Sequence, residues 1–192
     1  MSPKSKAQNE LIRQRSMQAI KEVALELFAH KGYHSTSISQ IAKAAGVSKG
    51  LMYNYFSSKE ELLETIVLEL VEVGNQMIEL LQQEEDPFEQ LKKMTDMSFM
   101  MVASDLQHWK LMSSLAFQTD TLTNLEPKLH EMHQTGIRLM TDLFQRLGMD
   151  DPEEEAYLYG AMIDGVILHY MQFEDKYPLE KMKNFILKRY LK

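Results

Sequence analysis

The chain has 192 residues, 44% of them hydrophobic and 26% charged, with a net charge of −7 and no cysteine. At ~100–200 residues per domain this is one domain, or a small module fused to a larger one. Disulfide frameworks, thiolate zinc sites, iron–sulfur clusters and cysteine nucleophiles are excluded, and no uncharged run approaches the ~18 apolar residues of a membrane span, so no membrane partner is expected.

The hydrophobic period is helical throughout, without any run of alternating β-formers, and the fold class read from it is all-α with about nine helices. A tail at 1–8 is read as flexible; it is basic, lacks the apolar stretch of a secretory signal, and so leaves a cytoplasmic location expected. Ile20, Val23, Ala24, Leu27 and Phe28 form one stripe, placing a helix over about 9–31 that Gly32 stops. Ser37 and Gln40 make a capping box for a short helix closed by Gly46, Ser48 caps another through about 55, and Ser58 with Glu61 opens a long helix to about 83. Asp86-Pro87 and Asp151-Pro152 each place a capping aspartate before a proline at the first helical position. Helices are expected over about 87–104, 106–118, 124–147 (ended by Gly148) and 152–176, with Pro178 opening the last; Pro127 is either an early position of its helix or a kink.

Charge divides the chain. Residues 1–60 carry nine Lys/Arg against four acids, a balance of +5, and the remainder twelve against twenty-four, a balance of −12. This is the pattern of a basic module that meets a polyanion, attached to an acidic body that does not. Within the basic part, 37–56 reads as two short helices joined by Ala45-Gly46-Val47-Ser48, which is helix-turn-helix spacing. In such a unit the second helix enters the major groove, so its outward positions must be polar. Met52 and Phe56 are the natural inward pair; Lys49, Tyr53 and Asn54 face outward, and Tyr55 is either a further outward contact or core. Lysine suits guanine acceptors or phosphate, asparagine adenine, tyrosine hydroxyls phosphate, and Gly50 lets the backbone approach closely.

The segment 14–63, in particular FAHKGY (28–33), TSI (36–38), IAKAAGVSKG (41–50) and YNYFSSKEEL (53–62), closely resembles the DNA-binding domain of the tetracycline-repressor (TetR) family. The resemblance covers about the first third of the chain; the rest is similar only in length and helical layout. It implies a helix-turn-helix DNA-binding domain at 1–57 and a ligand-binding and dimerisation domain at 58–192. It also implies phosphate contacts from Thr36, Ser37, Tyr53, Tyr55 and Lys59, base-edge readers at Lys49, Gly50, Leu51 and Asn54, and Ser48 among the residues of the interface. Leu51 departs from the threonine of many members, which shifts readout there toward a thymine methyl. Lys4, Lys6, Arg13 and Arg15 are either solvated or phosphate and minor-groove contacts.

The acidic body is rich in methionine, which suits either a soft core or a cavity for varied apolar ligands. Trp109, Met112, Phe117, Met140, His169 and Phe173 are the candidate ligand residues. For the candidate dimer interface Gly160, Ala161 and Gly165 let another backbone approach, Ile163, Val166, Ile167 and Tyr170 supply apolar surface, and Phe185, Ile186 and Tyr190 add to it from the last helix, an intermolecular four-helix bundle that would set two recognition helices ~34–36 Å apart. Glu126, His130 and His133 share a helix face at a plausible metal-ligand spacing but are read as solvated, so no metal and no cofactor are expected. No phosphate-binding glycine loop, nucleophile elbow or Rossmann fingerprint is present, and no enzyme is expected. The function read from the sequence is a DNA-binding transcriptional regulator, a repressor in most of the resembled family. It binds a palindromic double-stranded DNA operator as a homodimer and is released by a small, largely apolar molecule. The alternatives are a helical lipid carrier that does not read DNA, and a regulator switched by a partner protein.

Overall fold

The structure, a computed structural model, describes residues 6–116 and 123–190. Regular structure among them is all helical: α1 (Lys6–Lys31), α2 (Ile38–Ala44), α3 (Lys49–Tyr55), α4 (Lys59–Leu81), α5 (Pro87–Ser104), α6 (Leu106–Ala116), α7 (Glu126–Arg146), α8 (Pro152–Phe173) and α9 (Leu179–Tyr190), with 3-10 turns at Thr123–Leu125 and Glu174–Lys176. No described helix is long and apolar enough to cross a membrane. Two compact units result. One holds the described residues through 70 and those of 111–123; the other holds 71–110 and those from 124 onward, so two of the three boundaries fall inside continuous helices, α4 and α6, and the third inside the 3-10 turn at Thr123–Leu125.

Local chemistry accounts for most helix ends. The Ser37 hydroxyl accepts from the Gln40 N–H while the Gln40 side chain accepts from the Ser37 N–H, which completes the expected capping box. Ser48 Oγ accepts from the Leu51 N–H, and Asp86 Oδ1 accepts from the N–H groups of Phe88 and Glu89. The α2–α3 turn needs its glycine: Gly46 sits at φ +68°, where a Cβ would be strained. Pro127 lies in the first turn of α7 and makes no kink.

Three expectations change. α1 starts at Lys6, so 6–8 are helical rather than tail, in keeping with the high helix propensity of lysine, alanine and glutamine. Asp151, at ψ 71°, makes no capping hydrogen bond. The helix expected to reach 176 ends at Phe173, because Glu174 turns to φ 51° and the backbone tightens into a 3-10 turn before Pro178.

In the first unit Ile20, Ala24 and Phe28 of α1, Ile41 of α2, Met52 of α3 with Phe56 just beyond it, and Leu62 of α4 are fully or almost fully buried. The second unit buries Leu91 and Phe99 of α5, Leu143 and Phe144 of α7, Ala156, Tyr159, Ile163 and Val166 of α8, and Ile186, Leu187 and Tyr190 of α9 in one cluster. At its centre the rings of Phe144, Tyr159 and Tyr190 meet at centroid distances of 5.1–6.0 Å. Buried Thr95 donates to the Leu91 carbonyl at 2.7 Å, and its Oγ1 lies 2.7 Å from the Tyr159 hydroxyl, so neither polar group is orphaned.

This core takes up part of the expected dimer face. Ile163, Val166 and Ile186 belong to it, and Ile167 packs against it. Gly160 and Tyr170 are half-buried. Of the expected residues Ala161 and Phe185 are outward, Phe185 at 70% exposure. The outward face of α8 carries the expected Ala161 and half-exposed Gly165 together with Leu158 and Leu168, which the sequence reading did not name, at i, i+3, i+7 and i+10. α8 is apolar on two sides, so helical periodicity does not say which side faces its own chain.

Candidate nucleic-acid interface and apolar cavity

α3 divides as its sequence suggests. Met52 and the adjoining Phe56 are buried, while Lys49, Gly50, Tyr53 and Asn54 are exposed on one continuous arc; Leu51 and Tyr55 are half-buried at its edges. The Lys49 ammonium lies 5.9 Å from the Tyr53 ring centroid, a one-turn cation–π contact that holds both side chains along the helix. No heavy atom beyond its chain neighbours and its own helix backbone lies within 4 Å of a Cβ built on Gly50, so the backbone there is open to approach from outside. Ser37 and Ser48 are exposed at the helix starts, where their oxygens act as caps.

Two nominated contacts have other tasks. Thr36 is 2% exposed and its hydroxyl is directed at the carbonyls of Gly32 (2.9 Å) and Leu27 (3.3 Å), so its side chain does not face a phosphate. Lys59 is half-buried; its ammonium donates to the carbonyls of Tyr33 (2.8 Å) and Thr36 (3.0 Å) and lies 4.2 Å from the Tyr33 ring centroid. It ties the α1–α2 loop to the start of α4. The Tyr33 hydroxyl donates to Glu60, and burial first, with the Glu60 carboxylate second, pushes that hydroxyl up to about 12. The carboxyl of Glu60 is held below its usual range by its own backbone N–H and by Ser58. This latch was legible only in part, since a lysine at a helix start reads equally as a phosphate contact.

The second unit contains an elongated cavity of about 290 Å³ between α4, α5 and α7. Its walls include Gly74, Met77 and Ile78 of α4, Gln90, Met94 and Met101 of α5, and Met132, Gly136, Met140 and Leu143 of α7; the polar lining residues are Gln82 and Gln90. The volume sits near the lower end of the ~300–1,000 Å³ usual for small-molecule sites. Of the expected ligand residues Met140 alone is a wall residue among those described. Trp109 donates its indole N–H to the Met101 carbonyl at 3.1 Å, one residue away from the wall. Met112 is buried in the first unit, His169 packs its ring on Phe173 and Tyr177, Phe173 is half exposed, and Phe117 lies outside the described residues. The missed signal was glycine inside helices: Gly74 would meet only Met132 Sδ, at 3.9 Å, and Gly136 nothing within 4 Å. An interior helical glycine costs ~1 kcal/mol against alanine and asks for a reason, and here both stand beside open space.

Glu126, His130 and His133 are all exposed, and no group of three or more metal-ligating side chains is found among the described residues.

Residues 20–66, which span α1 from its first buried position through the latch and into α4, match the family described as bacterial regulatory proteins, tetR family. The chain is 26% identical over 184 residues, 91% of its length and 93% of the relative's, to the fatty acid metabolism regulator protein of Bacillus subtilis. Its fold is that of the fatty acid degradation regulator FadR from Bacillus halodurans (TM-score 0.71, 23% identity, 99% of this chain and 97% of that one). It is also that of NalD, the secondary repressor of the MexAB-OprM multidrug efflux pump in Pseudomonas aeruginosa (TM-score 0.74, 22% identity, 93% and 95%). A helix-turn-helix with its reading face open, a family match laid over it and full-length likeness to such regulators lead to one conclusion: residues 20–66 are a DNA-binding region of the tetR family, carried on a chain that is similar along its length to transcriptional regulators of that type.

Proposed function

We propose that this regulator binds a palindromic operator as a homodimer and lets go of it when an apolar effector of fatty-acyl type fills the cavity. The observation that carries the DNA half is the free arc of Lys49, Gly50, Tyr53 and Asn54 on α3. Residues 1–57 form the DNA-binding part and 58–192 the effector and dimerisation part, acting in the cytoplasm where operator DNA lies. Leu51, Tyr55 and the capping serines Ser37 and Ser48 border the contact.

The effector half rests on the cavity wall, which offers methionine and aliphatic surface and no charged residue, and on the names of the relatives in B. subtilis and B. halodurans. α4 carries the coupling. Its first residues hold the Lys59 latch, and its last two turns supply Gly74, Met77 and Ile78 to the wall, so an occupant pressing on those side chains shifts the helix that anchors the α1–α2 loop. A solid core would have favoured a partner-protein switch; the cavity favours a small molecule. A carrier has no use for the exposed α3 arc.

The test is selection of the purified chain against a random duplex pool. Enrichment of an inverted repeat, followed by its release on adding fatty-acyl compounds without loss of the dimer, is expected. A pool that stays random at moderate salt after extraction of bound lipid overturns the DNA half.

A further inference from the structure

The cavity has a direction. Gln82 closes α4, Gln90 stands in the first turn of α5, and Leu143 lies near the end of α7; Gly74, Met101 and Met132 mark the other end of the same three helices. Gln90 to Met101 spans roughly 16 Å of helix at 1.5 Å per residue. One end therefore carries both amides and the other is thioether, glycine and aliphatic.

Arg146 sets the chemistry of the amide end. Its Nη1 donates to Gln90 Oε1 at 2.9 Å, and its Nη2 donates to the Glu85 carbonyl at 2.9 Å. A guanidinium has donors only, so the Gln90 amide cannot be reversed without setting N–H against N–H. Its oxygen is held by the guanidinium, which fixes the amide's orientation and leaves Nε2 as the donor of a residue that lines the cavity. The segments that supply this end, 84–93 and 142–146, carry Glu84, Glu85, Asp86, Glu89 and Asp142 against Lys92, Lys93 and Arg146, with Lys93 paired with Glu84 and Arg146 3.9 Å from Asp142. A donor flanked by segments of net negative charge serves an acceptor that is not itself an anion.

We propose that the cavity takes an elongated amphiphile whose tail lies toward Met101 and Met132 and whose neutral carbonyl head, that of an ester, thioester or amide, accepts from the Gln90 side-chain N–H, with Arg146 as the residue that positions this donor. The proposal rests on the effector reading of the same cavity and narrows it.

Trp109, the only tryptophan, is bonded to the Met101 carbonyl and reports on the tail end. Its emission is followed while the delipidated full chain is titrated with methyl decanoate, decanoate or decylamine, with calorimetry as a second readout. Methyl decanoate is expected to bind at least about tenfold more tightly than the other two. Gln90→Glu, which keeps the shape and the Arg146 contact but removes the donor, and Gln90→Leu are each expected to weaken the ester about five- to tenfold. Arg146→Met should do likewise while leaving the helical circular dichroism intact. Equal affinity for all three heads, or tighter binding of decanoate or decylamine, overturns the head assignment, as does an ester affinity unmoved in both Gln90 variants, while the effector reading stands. If no probe of any head binds, the effector reading itself falls.

Discussion

Lys49 and Lys59 are both basic, both at the start of a helix, and both expected at DNA, Lys49 from its outward position and Lys59 through the family resemblance, yet their surroundings separate them. Lys49 is exposed and its charge lies 5.9 Å from the Tyr53 ring centroid. Lys59 spends two donors on loop carbonyls that would otherwise lose a partner. Lys49→Ala is therefore expected to flatten the salt slope of operator binding by about one unit. Lys59→Met should show first as a lower melting temperature, with the slope changed by clearly less than that. A full-unit change in slope for Lys59→Met with unaltered melting would show that the latch opens on DNA. Thr36 teaches the same lesson: its hydroxyl is legible as a polar group, but its direction depends on where Gly32 and Leu27 lie.

At the scale of the element, the start of α4 concentrates the titratable interactions of the first unit. Glu60 is held low by its own backbone N–H and Ser58, and Glu61 by Ser57, whose N–H and hydroxyl both donate to it. A carboxyl lowered on folding contributes stability in full above its unfolded value and loses it as pH falls through the folded one. Both acids are exposed, so the effect is modest. The wild type should lose more urea resistance than Glu60→Gln when pH drops from above 4.5 to well below it; parallel losses would mean that Glu60 is not linked to folding. Asp164 runs the other way, since burial raises its carboxyl, and it is unchanged in this comparison. The helices themselves were readable in advance from capping serines, prolines at first positions and the 3.6-residue period, all of which act within a turn or two. Even the miss at Asp151 is local, for the residue type was right and the backbone angle was not.

The whole molecule adds what no single helix contains. The outward face of α8, Leu158, Ala161, Gly165 and Leu168, together with Phe185 of α9, is the apolar surface left after the intrachain core has taken Ile163, Val166 and Ile186. If the homodimer forms there, Leu168→Lys and Phe185→Lys should each cost about 2 kcal/mol or more of association and give a folded monomer by light scattering, with operator affinity lost in parallel. Ile163→Lys should instead unfold the second unit. A dimer that survives both outward substitutions would place the interface elsewhere.

The sequence by itself determined the all-helical class, the order and approximate ends of the helices, the helix-turn-helix with its inward Met52 and Phe56, and the outward Lys49, Tyr53 and Asn54, because periodicity, capping and a glycine turn are short-range effects. Which methionines line the cavity, which side of α8 is spent on the core, and whether Thr36 and Lys59 face outward or hold a loop came from the folded chain alone. Those outcomes depend on which surfaces the chain brings together from distant positions, and an apolar or charged side chain looks the same in the sequence whichever neighbour it meets.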